Sequence, residues 1–504
     1  MRVPQVMSTS LKSRVLHGLF WSMAQSWGGR AISFLLFLLL ARLLSPSEFG
    51  LVASATVVLA FMEVLYEQGF GDALVQKQEL LQQDLNAVFF TSLASSLLLA
   101  GLLCAASGRI AALMGTPGLG PVLMVTSLGL PIAALGICQQ ALYRKKLEYK
   151  WLAVRTIVAT TLSGVVGVGC ALQGFGAWSL VAQGLCATSL NSAILWSRPL
   201  FRPGSDIDWS RFRGVLRYSV HVLGNRLVDF ANTRLIELLI AIRYGAAALG
   251  VYVVGSRIYQ TAMQLLSSVV LDVAHSGFSQ ISNEPERLLR AYYKSLEFTA
   301  AVALPCFIVL AALSPQLVDL CFGRQWGEAA GVMHYLCLLG ALQCVQFYNA
   351  TTLNAIGRPE LTLRINLAKM ILTVSVLGLS DAKGITGLTA AYAASVALVA
   401  PLSFGLACRH AGVSLLRILS IVWPFLCAAL CSYAAVALLG ARGTTASFAP
   451  LARLAADLAA AALTYLLGCA LLAPVRSKNL LLFFLETVKE RRRKKVEVDY
   501  AVDN

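Results

Sequence analysis

His221–Gly245 reads HVLGNRLVDFANTRLIELLIAIRYG. Its length and apolar content fit a membrane-spanning helix, which needs about 20 mostly apolar residues. Yet its middle carries Arg226, Asp229, Arg234 and Glu237. On a helix turning about 100° per residue, all four project within an arc of about 140°. The opposite face shows Leu227, Leu235 and Leu239. One side suits lipid or helix packing; the other suits water or a polar ligand.

The rest of the chain supports a membrane setting. Of its 504 residues, 58% are hydrophobic and 13% charged, against about 25% charged in a soluble domain. The net charge of +16 is distributed as topology predicts, so it gives no reason to invoke nucleic acid. Most of the 12 cysteines sit singly in apolar runs, where cysteine packs as a small hydrophobe. No paired spacing points to zinc or to a disulfide framework.

Fourteen stretches are long and apolar enough to span a bilayer: 17–41, 49–71, 84–107, 119–142, 152–173, 177–197, 215–242, 247–275, 292–314, 329–355, 361–379, 385–408, 418–440 and 452–474. The first is too long for a cleaved signal and is read as a retained span. With the N-terminus in the cytoplasm, the inner segments hold 28 of the 41 Lys and Arg residues and the outer segments 7. Positive charge accumulates on the cytoplasmic side, so both termini are expected there. The tail NLLLFFLETVKERRRKK pairs an apolar stretch with a basic block, fit to lie on anionic lipid; a solvated end is the alternative.

A faint internal repeat divides the chain. Phe49-Gly50-Leu51 and Leu249-Gly250-Val251 lie 200 positions apart, each opening a span after one that carries an arginine soon after a glycine (Arg30, Arg226). The expected organisation is residues 1–205 as one six-helix bundle, 206–410 as a second, 411–475 as two added spans and 476–504 as a basic tail. Parallel repeats of this kind belong to transporters, with the substrate site between the halves.

Charges recur on the spans nearest that divide. Arg257, Gln260, Gln264, Ser268 and Asp272 form a stripe, and Glu63 and Glu67 lie one turn apart. An Arg or Asp at a bilayer centre costs roughly 2.5–3.5 kcal/mol. Two readings stand. Asp229 with Arg226 and Glu237 with Arg234 form ion pairs that join helices, or the whole set lines a hydrated cavity. The cavity reading explains more, because Arg30 and Arg257 have no carboxylate within four positions on their own helices. Arginines would hold an anion such as phosphate. This makes Arg30, Arg226, Arg234, Arg257, Gln260 and Gln264 the candidate substrate contacts. Glu63, Glu67, Asp229, Glu237 and Asp272 are the candidates for gating or for coupling to H+ or Na+.

Other polar residues have simpler readings. His221, His275 and His334 are solitary, as helix-face histidines are. Gln343, Gln346, Asn349 and Asn354 fit interhelical hydrogen bonding better than a sugar site. Asp206-Ile207-Asp208 matches a sugar-nucleotide DxD triplet but sits in a short loop, and no Walker A sequence is present. An enzyme, a glycosyltransferase or polymerase, is therefore disfavoured, and no cofactor is expected.

Several motifs in order resemble one family. They are Ala41–Gly50 (ARLLSPSEFG), Gly69–Gln76 (GFGDALVQ), Ala141–Lys150 (ALYRKKLEYK), Phe175–Gln183, Phe322–Ala329 and Leu353–Glu360. The chain thereby resembles the bacterial polysaccharide exporters. Within the multidrug/oligosaccharidyl-lipid/polysaccharide exporter superfamily, these are the lipid-linked oligosaccharide flippases of the colanic-acid exporter branch. The resemblance implies an all-α polytopic membrane protein of about 14 transmembrane helices, with two six-helix bundles in a V plus two C-terminal helices. It implies a flippase moving an undecaprenyl-diphosphate-linked oligosaccharide across the inner membrane by alternating access. Membrane lipids and a polysaccharide polymerase are the implied partners. A drug exporter or peptidoglycan-precursor exporter of the same superfamily is the alternative; carboxylate-lined drug sites fit less well with arginine-rich spans.

Overall fold

The computed structural model describes residues 28–67, 69–206, 209–281, 284–380, 384–442, 449–476 and 478. The side chains of 209–222, 225, 267–277 and 279–280 lie outside that description. The start of the first span, Asp208, the basic tail and the side chains of His221, Ser268, Asp272 and His275 therefore fall outside the described residues.

Among the described residues every regular element is a helix. In chain order these are α1 (28–43), α2 (Pro46–Glu67), α3 (Phe70–Gln76), α4 (Gln82–Leu113), α5 (Leu119–Ser127), α6 (Gly129–Ala134), α7 (Ile137–Lys145), α8 (Tyr149–Leu172), α9 (Ala177–Ser197), α10 (Trp209–Gln280), α11 (Pro285–Ala312), α12 (Ser314–Cys321), α13 (Ala329–Ala355), α14 (Pro359–Leu379), α15 (Gly384–Leu398), α16 (Ala400–Ala411), α17 (Leu415–Ala441) and α18 (Pro450–Leu472). The fold is all-α and polytopic, as the hydropathy pattern predicts.

Ten helices among the described residues are long and apolar enough to cross a membrane, or eleven if the bent pair Leu119–Ala134 and Ile137–Lys145 forms one span. Fourteen stretches were expected. The first is described only from residue 28. Arg226–Leu266 is one apolar helical run of 41 residues, although Gly245, at φ 79° and ψ −179°, interrupts its helical geometry. In α9, Gln183, Thr188, Asn191 and Ser192 lower the hydropathy. Prolines explain other breaks. Pro131 and Pro401 follow the interruptions at Leu128 and Val399, where a proline ring clashes with the carbonyl one turn before it.

The chain forms two compact units, Met1–Val254 and Gly255–Asn504. In the first, the turn before α2 is closed by a capping box. Ser45 N donates to Glu48 Oε2 at 2.7 Å, and Glu48 N donates to Ser45 Oγ at 3.4 Å. Pro46 occupies the first helical position, where its missing N–H costs nothing. Gly50 of α2 and Gly250 of α10 meet closely. A Cβ on Gly50 would lie 1.6 Å from the Ala246 carbonyl oxygen, and one on Gly250 would lie 2.1 Å from that of Pro46. Further along, Phe70, Leu74, Val88, Phe89 and Phe201 share a core. Beside it, fully buried Gln139 donates to Phe201 O at 2.6 Å and accepts from Leu200 N at 2.9 Å, which pins the segment after α9.

In the second unit α13 packs against α11, α15 and α16, and α17 packs against α11 and α18. Its interior contains neutral polar links. Tyr292 donates to Asn349 Oδ1 at 2.7 Å, Asn349 Nδ2 donates to Ser403 Oγ at 3.0 Å, and Tyr259 donates to Gln343 Oε1 at 2.8 Å. Asn354 accepts from Thr362 at 2.9 Å. Three of the four amides in the polar run of α13 thus join helices by hydrogen bonds. None of the twelve cysteines forms a disulfide.

Candidate functional site

The motif GFGDALVQ shapes one end of the site. Gly69 has φ 75°, a left-handed conformation that glycine adopts without steric cost. The turn it makes starts α3 and brings Asp72 beside Glu67. Arg226 of α10 reaches both: Nη1 donates to Glu67 Oε2 at 2.6 Å, and Nη2 donates to Asp72 Oδ2 at 2.7 Å. Each terminal guanidinium nitrogen has its own carboxylate, an arrangement that suits arginine's planar fork and that lysine cannot reproduce. Phe61 and Phe230, with ring centroids 5.5 Å apart, pack between the same two helices.

Arg226 therefore pairs across helices rather than with Asp229 one turn on. Asp229 is exposed, and the described bond to it is the one Thr233 makes to its carbonyl oxygen. Arg234 does pair locally, with Nη1 3.0 and 2.7 Å from the two oxygens of buried Glu237. Asp72, absent from the sequence-derived candidates, belongs with them. Its signal was its place in the GFGDALVQ motif, three residues past the helix-starting Gly69.

Arg30 differs from these. It lies in α1, where a Cβ on the preceding Gly29 would approach Thr156 of α8 to 3.3 Å. Arg30 is half-buried, and its Nη1 is buried with no hydrogen-bond partner among the described residues. Glu63 is exposed and lines a cavity of about 150 Å³ in the first unit, together with Thr56, Thr126, Thr188, Leu59 and Leu185. Arg155 of α8, 9% exposed, donates to Gln140 Oε1 at 3.2 Å and is a further intramembrane cation.

In the second unit, Arg257 is half-buried and Thr261 donates to its carbonyl. Gln260 bonds Ser256 at 3.2 Å, and Gln264 is exposed. The Asp272 side chain lies outside the described residues. The DxD aspartate Asp206 accepts from Gln83 Nε2 at 2.8 Å, and its carbonyl accepts from Asn86 at 2.7 Å. Those bonds tie the loop to α4, a structural use for that residue.

The chain is thus an all-helical membrane protein with charged residues on several of its spans. The chain belongs to the polysaccharide biosynthesis protein family, whose sequence profile matches residues 39–331. It is 28% identical to the succinoglycan biosynthesis transport protein ExoT of Rhizobium meliloti over 63% of this chain and 64% of that protein, so the alignment leaves about a third of ExoT unmatched. It is 23% identical to the lipopolysaccharide biosynthesis protein WzxC of Escherichia coli over 73% of this chain and 75% of that protein. The fold is shared with lipid II flippase MurJ in an inward closed conformation, with a TM-score of 0.71 at 15% identity over 90% of this chain and 98% of that one.

Proposed function

We propose that this protein is a flippase carrying an undecaprenyl-diphosphate-linked oligosaccharide from the inner to the outer leaflet of the bacterial inner membrane for surface polysaccharide assembly. Family membership and the transport and biosynthesis names of its relatives support this reading. The observation that carries it is Arg30, whose Nη1 is buried with no hydrogen-bond partner among the described residues. A cation left this way in a span has an anion as its natural complement, and a diphosphate presents oxygens that arginine binds bidentately.

On this reading the proposed bundles are residues 1–205 and 206–410, followed by the spans of 411–475 and the tail of 476–504, with both termini cytoplasmic. Arg30, Arg257, Gln260 and Gln264 contact the diphosphate and sugars. Arg226 and Arg234 are held by carboxylates and open to substrate when those clasps release. Glu67, Asp72 and Glu237 then act as gates, and Asp229 and Asp272 are further charged members of the pathway. Glu63, a carboxylate among threonine hydroxyls, has the chemistry to take a proton or sodium ion and couple transport to a gradient. A polymerase receives the flipped product.

The test replaces Arg30, Arg226 and Arg257 singly with Ala and measures polysaccharide at the cell surface. Loss of export with Arg30→Ala, at wild-type protein level, is the expected result. Unchanged export in all three variants would defeat the site assignment. A deletion strain with altered drug sensitivity and normal surface polysaccharide would favour a drug exporter.

A further inference from the structure

Asp457 of α18 is fully buried, at 0% exposure, about 10 Å along the helix from Pro450. Gln316 of α12 donates from Nε2 to its Oδ2 at 2.7 Å. The other half of this pair is unfilled. Asp457 Oδ1 and Gln316 Oε1 are both buried without a hydrogen-bond partner among the described residues. Two acceptors thus lie on one carboxylate–amide pair with no donor for either.

The obvious countercharge does not close the gap. Arg453 lies one turn earlier on α18, yet its Nε is itself buried without a partner, and no ion pair joins it to Asp457 among the described residues. Of the elements packed on α18, α17 has Arg417 as its one charged residue, and the charged residues of α11 (Glu286, Arg287, Arg290, Lys294 and Glu297) all lie in its first half. α12 adds Asp319, which is exposed and 3.9 Å from Arg324. An unpaired carboxylate buried in a protein costs several kcal/mol and is neutralised instead.

We propose that Asp457 and Gln316 form a buried site for a monovalent cation, a proton or a sodium ion. A proton taken up on Oδ1 makes it a donor to Gln316 Oε1, and with the existing Nε2–Oδ2 bond closes a two-bond acid–amide ring. A sodium ion would instead bridge Oδ1 and Oε1. Either cation satisfies both empty acceptors and removes the charge. The site is independent of which substrate the protein carries.

The test uses the purified full-length protein in lipid nanodiscs. Infrared spectroscopy is expected to show a protonated-carboxyl band that Asp457→Asn removes. Gln316→Met is expected to shift that band toward a free acid, which keeps the test valid if the Asn variant folds poorly. Thermal stability in NaCl against choline chloride distinguishes the second cation: a sodium-specific rise lost in Asp457→Asn assigns sodium. An ionised Asp457 with no sodium effect overturns the proposal. So does an acid band that emerges only in Arg453→Gln, since that would reveal an ion pair.

Discussion

Gly50 and Gly250 meet backbone to backbone: a Cβ on Gly250 would stand 2.9 Å from the Gly50 amide nitrogen. These are the two glycines, 200 positions apart, whose spacing suggested an internal repeat in the sequence. Gly50→Ala is expected to destabilise the protein by about 1–3 kcal/mol, as overpacking does, because the backbone of Ala246 cannot swing aside as a side chain can. Gly101→Ala, where an added Cβ meets nothing within 4 Å, is the control. Thermal unfolding in detergent that ranks the two equally would refute the contact.

The Arg226 clasp predicts a pattern of rescue. Arg226→Met leaves Glu67 and Asp72 facing each other without their cation and should cost on the order of 1–3 kcal/mol, below a fully buried pair because all three groups are partly exposed. Combining it with Glu67→Gln and Asp72→Asn should recover most of that loss. Arg226→Lys should recover less, because an ammonium cannot place separate planar donors on two carboxylates. A triple variant no more stable than the single one would show that the carboxylates have other work.

Two carboxylates three and eleven positions from Arg226 should behave oppositely. Glu237 is buried and bound by Arg234, so Glu237→Gln is expected to cost about 2–4 kcal/mol by weakening a bond to a charged partner in a buried setting. Asp229 is exposed, so Asp229→Asn should fall within about 0.5 kcal/mol of wild type. Chemical or thermal denaturation of the two variants side by side measures the contrast.

That contrast also shows where sequence reasoning stops. Helices were legible because apolar runs of span length leave few alternatives, and the Ser45–Glu48 cap can be read letter by letter. The local pair Arg234–Glu237 was legible for the same reason, since three residues bring side chains to one face. Arg226 was not. Asp229 stands equally close in sequence, but Glu67 and Asp72, more than 150 residues away, take both ends of the guanidinium. Which local pairing loses to a distant one depends on packing that no helical wheel contains. Gln316 and Asp457, 141 positions apart, were invisible on the same ground.

The neutral chain of Tyr292, Asn349 and Ser403 gives a further prediction. Asn349→Leu strands the Tyr292 hydroxyl in a fully buried site and should cost about 1–3 kcal/mol. Tyr292→Phe in the same background should return part of it, because both halves of the bond are then gone. A double-variant cycle on unfolding reads the coupling directly, and strict additivity would count against the bond.

The Arg226 cluster joins one guanidinium to two carboxylates, a formal charge of minus one. A rearrangement carrying it along the membrane normal couples to the cell's inside-negative potential: inward movement carries a toll of about 2.3 kcal/mol per elementary charge per 100 mV, and outward movement releases the same amount. The Tyr292–Asn349–Ser403 chain, having no formal charge, would move without that toll. The first compact unit thus contains an element that an energised membrane can push, whereas this part of the second stays electrically silent.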